Sequence, residues 1–233
     1  MPLLPDDSVR QGPGRSSSAT SALVVAETAT ISSGTGIGLR KGIKRFVDVI
    51  LSLSAIIFLI PLLTIVAILV KLDSKGPVIF RQRRNGLNSV EFVIFKFRTM
   101  TVLEDGPNIT QARQGDHRVT RIGQYLRRMS IDELPQLVNV LRGEMSLVGP
   151  RPHALAHDNE YLSKIAKYSL RYQVKPGITG WAQINGLRGE TPDIANMAER
   201  VEYDLWYINN WSLRLDLYII LKTCFEVVTH RAY

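Results

Sequence analysis

From Phe46 to Val70 the chain runs through Leu, Ile, Val, Ala and Phe with a single charge, Asp48. Those 25 residues are long enough to cross a bilayer once as a helix. Two features favour a different path. Pro61 sits in the middle, where it removes a helical hydrogen bond and bends the chain. Basic residues flank both ends: Arg40, Lys41, Lys44 and Arg45 before the run, then Lys71, Lys75, Arg81, Arg83 and Arg84 after it. A crossing helix would carry one of these clusters to the side that disfavours it. The pattern therefore predicts a re-entrant helix–break–helix over 39–72, with an ordinary span and a buried soluble helix as the alternatives.

Downstream the pattern shortens. Pro77-Val-Ile-Phe-Arg-Gln and Glu91-Phe-Val-Ile-Phe-Lys-Phe-Arg are β-branched and aromatic runs on either side of Asn85-Gly86, which predicts a β-hairpin with an Asn-Gly turn. Residues 102–118 are polar and read as a loop. Leu126 to Leu141 is helix-like but interrupted by Pro135, and a Gly/Pro-punctuated region follows through Gly149-Pro-Arg-Pro and Lys175-Pro-Gly-Ile-Thr-Gly. Met197 to Val228 is helical again. It sets Trp206, Tyr207, Trp211 and Tyr218 among aliphatic residues, with Arg214 and Lys222 interspersed. Such a helix suits the headgroup layer of a membrane and equally suits packing on a core; the nearby membrane segment favours the interface.

Residues 1–38 are rich in Ser, Thr, Gly and Pro and cannot bury enough apolar surface to offset their ordering entropy, so they read as a flexible arm. Within it, Gly34-Thr-Gly-Ile-Gly38 lacks the preceding strand and closing Lys-Ser/Thr of a phosphate loop and reads as linker. Composition narrows the chemistry. A net charge of +8 across 233 residues points to a polyanionic partner, which nucleic acid, anionic lipid or a phosphorylated substrate would satisfy. The single cysteine, Cys224, excludes an intrachain disulfide and a multi-cysteine metal site. His117, His153, His157 and His230 show no ligand spacing, and the N-terminus has no secretory signal pattern.

The candidate chemistry lies in Ser130-Ile-Asp-Glu-Leu-Pro-Gln136. Ser130 with Glu133 forms a capping-box pattern, a purely structural reading. The functional reading starts from geometry. Adjacent side chains on a helix diverge by about 100°, so Asp132 and Glu133 suit different tasks, one attacking while the other holds a divalent ion or tunes the site. Arg127, Arg128 and Arg151 supply guanidinium forks that match phosphate oxygens. Arginines converging on carboxylates suggest a diphosphate–metal site.

Five motifs then occur in order: Lys44-Arg-x-x-Asp48, Phe95-Lys-Phe-Arg-Thr-Met100, Leu126-Arg-Arg-x-Ser-Ile-Asp-Glu-Leu-Pro-Gln136, Ser146-Leu-Val-Gly-Pro-Arg-Pro152 and Val174-Lys-Pro-Gly-Ile-Thr-Gly-Trp-Ala-Gln183. Together they resemble the bacterial sugar transferase family, the monotopic polyprenol-phosphate phosphoglycosyl transferases, over residues 42–233. The resemblance implies that Asp132 attacks the β-phosphate of a UDP-sugar, releasing UMP, and that undecaprenyl phosphate then takes the phosphosugar from the carboxylate. It implies Mg²⁺ at Asp132 and Glu133. Substrate contacts fall to Lys96, Arg98, Arg127, Arg151, Pro150 and Pro152. Gly186-Leu-Arg-Gly-Glu-Thr and Arg200-Val-Glu-Tyr-Asp-Leu-Trp-Tyr resemble members that begin exopolysaccharide or capsule chains, with UDP-glucose the first expectation and UDP-galactose the second. Some relatives place Ser before the helix-breaking proline where this chain has Ile60. Larger relatives carry further membrane helices and a further domain ahead of this core, and the chain is expected to be the minimal unit.

The expected fold is α+β and mostly helical, with a re-entrant membrane helix, a small β-hairpin and a catalytic domain (73–233) at the cytoplasmic face of a bacterial inner membrane, fringed by interfacial amphipathic helices. The expected partners are the UDP-sugar, undecaprenyl phosphate and membrane lipid, without nucleic acid; a homo-oligomer stays open. The rivals are a membrane-anchored Mg-dependent phosphohydrolase and a basic membrane adaptor without chemistry.

Overall fold

The computed structural model describes residues 34–101, 115–189, 191 and 193–228. Most of the expected arm, most of the 102–118 loop, His230 and Glu190 lie outside the described residues. The chain divides into Met1–Gly42 and Ile43–Tyr233. Of the first unit, only the opening turns of helix α1 (Gly34–Asp73) are described. They start inside the segment read as the arm.

Helix α1 carries Pro61 within it, and the segment 38–73 is long and apolar enough to cross a membrane. Pro61 cannot donate to the carbonyl four residues back. One turn later the Thr64 hydroxyl donates to the Ile60 carbonyl at 2.9 Å, a back-bond of the kind that bends helices. Ile57, Phe58 and Ile60 around the proline are exposed. The two flanks pack on the domain. Lys44 reaches Asp216 at 2.6 Å, Arg45 donates to the Leu141 carbonyl at 2.8 Å, and Asp48 accepts from the Leu147 amide at 3.1 Å. Farther on, Val66 and Val70 join Phe97 and Leu126 in one apolar cluster.

Strands β1 (Ile79–Asn85) and β2 (Glu91–Phe97) form the antiparallel hairpin, in register from Ile79 opposite Phe97 to Asn85 opposite Glu91. The connection is not a two-residue Asn-Gly turn. Asn85 is the last paired residue, and Gly86 to Val90 closes a loop in which the Gly86 amide donates to the Val90 carbonyl at 2.9 Å. Asn88 and Ser89 take the left-handed conformation there.

After the hairpin come α2 (Arg121–Arg128), the 3-10 turn Ile131–Glu133 and α3 (Gln136–Arg142). Pro135 separates the last two, at a helix start where its missing N–H is harmless. Asn139 of α3 is fully buried; it donates to the Val93 carbonyl at 2.7 Å and accepts from the Phe95 amide at 3.1 Å, so α3 is locked to the edge of β2.

The Gly/Pro region forms a second, parallel sheet. β3 (Ser146–Val148) and β4 (Gly177–Thr179) pair Ser146 with Gly177 and Val148 with Thr179. Between them lie α4 (Leu155–Lys164) and a 3-10 segment, Tyr168–Gln173. After them come α5 (Trp181–Ile184), α6 (Ile194–Asn209) and α7 (Leu213–Val228). The expected single helix 197–228 is thus two helices, broken at Asn210–Ser212. Tyr161, Tyr168, Tyr172, Met197, Val201 and Leu205 make a core under α6. Val148, Ile184, Tyr207 and Ile219 make another under α7.

Candidate active site

The turn that carries the two carboxylates is not a capping box. Ser130 caps no amide with its side chain and sits in the left-handed region at φ 57. For a residue with a Cβ that conformation is uncommon and held by its surroundings; here the Arg188 guanidinium donates to the Ser130 hydroxyl. Leaving α2 through this kink, the chain makes one tight turn and buries both Asp132 and Glu133, at 8% and 6% exposure.

Three elements converge on Glu133. Lys96 on β2 reaches its Oε1 at 2.8 Å. Arg151, just after β3, sets one guanidinium nitrogen 3.0 Å from Oε2 and the other 2.5 Å from Oε1. This is a fork-on-carboxylate clamp with a lysine added. The Arg151 guanidinium and then Lys96 hold the Glu133 carboxyl well below the usual range, against the opposing effect of burial. Burial is the larger influence on Lys96 and lowers it.

Asp132 is a contrast. Its carboxylate has no hydrogen bond or ion pair among the described residues. Burial first, then the Glu133 charge beside it, push its pKa up to about 6, with Lys96, Arg127 and Arg151 pulling the other way. Two neighbouring acids are thereby driven apart: one is a fixed anion inside a cationic clamp, the other an uncommitted carboxylate that is mostly ionised near neutrality.

The expected site residues separate into groups. Asp132, Glu133, Lys96 and Arg151 are brought together, and Arg127 is half-buried within electrostatic reach of Asp132. Pro150 and Pro152 are buried and fix the backbone on either side of Arg151. Arg98 points elsewhere. At 2% exposure, its guanidinium donates to the Val70 carbonyl at 3.1 Å and the Ser74 carbonyl at 2.5 Å. It satisfies orphan carbonyls at the C-terminus of α1, as a cation does at that end of a helix.

Sequence reasoning missed an inner ring of charge: Arg84, Arg171, Arg200 and Asp204. Burial lowers Arg84 to about 10 and Arg200 to about 10, with Arg151 the next contributor in both. The signal was present in α6. Arg200 and Asp204 share the helical stripe of Met197, Val201 and Leu205, and charges inside an apolar stripe are buried charges.

A divalent ion can be tested against this donor set. Among the described residues no cluster of three or more His, Cys, Asp or Glu could cage a metal, and both Glu133 oxygens are engaged by cations. Asp132 alone offers an uncommitted carboxylate. That fits Mg²⁺, which binds through one or two carboxylates together with substrate phosphates and water. It does not fit an all-protein cage.

The described residues thus carry a buried carboxylate pair met by a lysine and an arginine, with further arginines nearby, and a long apolar helix. The chain belongs to the bacterial sugar transferase family, which it matches over residues 39–230. It is 50% identical over 195 residues to the UDP-glucose:undecaprenyl-phosphate glucose-1-phosphate transferase of Escherichia coli K12, covering 84% of this chain and 42% of the relative. To the protein of the same name in Caulobacter vibrioides it is 52% identical over 186 residues, 80% of this chain and 70% of the relative. An exopolysaccharide production protein of Rhizobium leguminosarum bv. phaseoli is 46% identical over 191 residues, 80% of this chain and 96% of that relative. The chain therefore spans under half the length of the E. coli relative.

Proposed function

We propose that the protein transfers glucose-1-phosphate from UDP-glucose to undecaprenyl phosphate, as the first step of exopolysaccharide synthesis. The observation that carries the mechanism is the asymmetry of the two acids: Glu133 is clamped, while Asp132 is buried, has no hydrogen bond or ion pair among the described residues, and is ionisable near neutrality. The donor and acceptor follow the names of the E. coli and Caulobacter relatives.

In the first step an Asp132 oxygen attacks the β-phosphorus. The bond from that phosphorus to the bridging oxygen breaks, UMP leaves with the oxygen, and an acyl phosphosugar remains. In the second step a phosphate oxygen of the polyprenol phosphate attacks the same phosphorus and frees the Asp132 carboxylate, leaving a lipid diphosphate sugar. Two such displacements are covalent catalysis with ping-pong kinetics. Arg127, whose charge acts on Asp132, neutralises charge gathering on the transferred phosphoryl group; Arg151 and Lys96 keep Glu133 anionic and supply positive potential beside it. Mg²⁺, held by Asp132 and the diphosphate, would supply further charge neutralisation there.

The membrane arrangement supports the same reading. Both flanks of α1 dock on one domain while the segment around Pro61 is exposed and apolar, as expected of a helix that enters and leaves on the cytoplasmic face. Leu217, Tyr218, Leu221 and Phe225 form an exposed apolar face on α7, and the Tyr218 ring lies 6.4 Å from Trp181 of the stacked Trp181–Trp206 pair. A face of this kind rests at the headgroup level and keeps a lipid-borne acceptor within reach of the site.

The test uses purified protein in lipid discs with Mg²⁺, undecaprenyl phosphate and a panel of UDP-sugars, and follows nucleotide release. UMP released with UDP-glucose, only when the acceptor is present at turnover level and not in Asp132→Asn, is the expected result. UDP as the product would overturn the mechanism. Steady UMP release without acceptor would establish the phosphohydrolase instead, and release with UDP-galactose alone would reassign the sugar.

A further inference from the structure

Pro150-Arg151-Pro152 has one backbone N–H among its three residues, so a ladder of its own donors cannot hold it. It is held instead by all three of its carbonyls. The Gly177 amide donates to the Pro150 carbonyl at 2.9 Å, an Arg171 guanidinium nitrogen to the Arg151 carbonyl at 2.6 Å, and Arg84 to the Pro152 carbonyl at 3.1 Å. The middle grip is the unusual one. Arg171 is 3% exposed and belongs to no helix or strand that pairs with this segment.

Arg171 is itself fixed from every side. Its Nε lies 2.8 Å from Asp204 of α6, a residue 2% exposed. Another of its nitrogens meets His153 Nδ1 at 3.2 Å, and its plane sits 5.0 Å from the Tyr168 ring. Tyr168 in turn donates to Asp158 at 2.6 Å. Buried ion pairs contribute little net stability compared with apolar side chains of similar size. This one needs another account.

We propose that the Arg171–Asp204 pair is the positioning device for Arg151, holding its backbone so that its guanidinium fork meets the Glu133 carboxylate. Asp204 orients Arg171, Arg171 grips the Arg151 carbonyl, and Arg151 presents both nitrogens to Glu133. The prolines on either side stop the segment from relaxing once the grip is set. Neither member of the pair has a hydrogen bond or ion pair to Asp132 or Glu133 among the described residues, so the contact that links them to the site is the Arg171 grip on the Arg151 carbonyl. The inference rests on the proposed transfer site, in which Arg151 is part of the machinery.

The experiment is a double-mutant cycle on the full chain in lipid discs, with UDP-glucose and undecaprenyl phosphate as substrates and UMP as readout. Asp204→Asn and Arg171→Lys are each made in the native background and in Arg151→Lys. Arg171→Lys keeps the charge facing Asp204 but loses the fork, so it carries the test if Asp204→Asn fails to fold. Each single change should lower kcat/KM by about 10- to 100-fold, the scale of misplacing a group by about an ångström. In the Arg151→Lys background the same changes should lower it by less than about 3-fold, because the device has lost the group it positions. Equal losses in both backgrounds would mean a general structural role and overturn the proposal. Full activity of Arg151→Lys with native-like dependence on Asp204 would instead remove Arg151 from the transfer site.

Discussion

Asp132 and Glu133 are neighbours in sequence with opposite electrostatic fates, and that difference is measurable. Glu133, held well below the usual carboxylate range by Arg151 and Lys96, stabilises the fold at any pH above that range, and the contribution is lost as pH falls through its lowered value. Asp132, pushed up to about 6 by burial and by Glu133, does the reverse. Its ionised form destabilises the fold above about pH 6, and the strain fades as pH drops through that value. At about pH 8, Asp132→Asn should therefore leave the melting temperature unchanged or raise it, while turnover falls by about 10⁴-fold or more, the scale of losing a nucleophile. Glu133→Gln should lower stability by about 1–3 kcal/mol, because it leaves two half-buried cations without the anion they share. Thermal unfolding of the two variants beside the parent checks both signs, and equal melting shifts would refute the asymmetry. Turnover of the parent should itself decline as pH falls through about 6, when Asp132 takes up its proton.

Among the elements, the two Gly/Pro motifs turn out to be one structure. Gly149, Gly177 and Gly180 meet backbone to backbone where β3 and β4 pair, and a Cβ on Gly149 would lie 2.5 Å from the Lys175 carbonyl oxygen. A Cβ on Gly177 would run into the Gly149 backbone, and one on Gly180 into the Gly149 carbonyl. No flexible side chain can give way there, so Gly177→Ala should destabilise by about 1–3 kcal/mol, as overpacking does. It should also shift Arg151, two residues from the contact, and reduce UMP release; an alanine variant with native melting and turnover would contradict this. The spacing of glycines and prolines in sequence marked this region as constrained. It could not reveal a parallel pairing, because strands of three residues leave no periodicity and their partners are about thirty residues apart. The hairpin was legible because Phe92, Ile94 and their neighbours alternate over seven residues. Its turn was misplaced because Asn85-Gly86 satisfies the local rule, while pairing of Asn85 with Glu91 extends the ladder past it. Asp132, Glu133, Lys96 and Arg151 were legible as a set through their motifs, and the fold brings them together. Arg98 belonged to a motif too, but only packing decides that its guanidinium caps α1.

For the whole molecule, the question is how one helix of 40 residues meets a membrane. A straight helix rises about 1.5 Å per residue, so Lys44 and Val70 would stand about 39 Å apart, more than the roughly 30 Å hydrocarbon core. A crossing helix would leave one flank without a domain to touch. Both flanks are engaged: Lys44, Arg45 and Asp48 with α7, α3 and β3 in turn, and Val66, Val70 and Asp73 with β2 and α2. Lys44, Asp48 and Ser52 form a polar seam at four-residue spacing, and the latter two are almost fully buried, so the seam has a protein partner rather than lipid. Single cysteines placed before Arg40 and after Lys75, in a chain with Cys224 replaced, should both be labelled by an impermeant maleimide only when the cytoplasmic face is open. Labelling of either from the periplasmic side would break the proposed re-entrant path. It would also force the contacts of that flank with the catalytic unit to be abandoned, since no domain can grip both ends of a helix from one side of a bilayer that the helix has crossed.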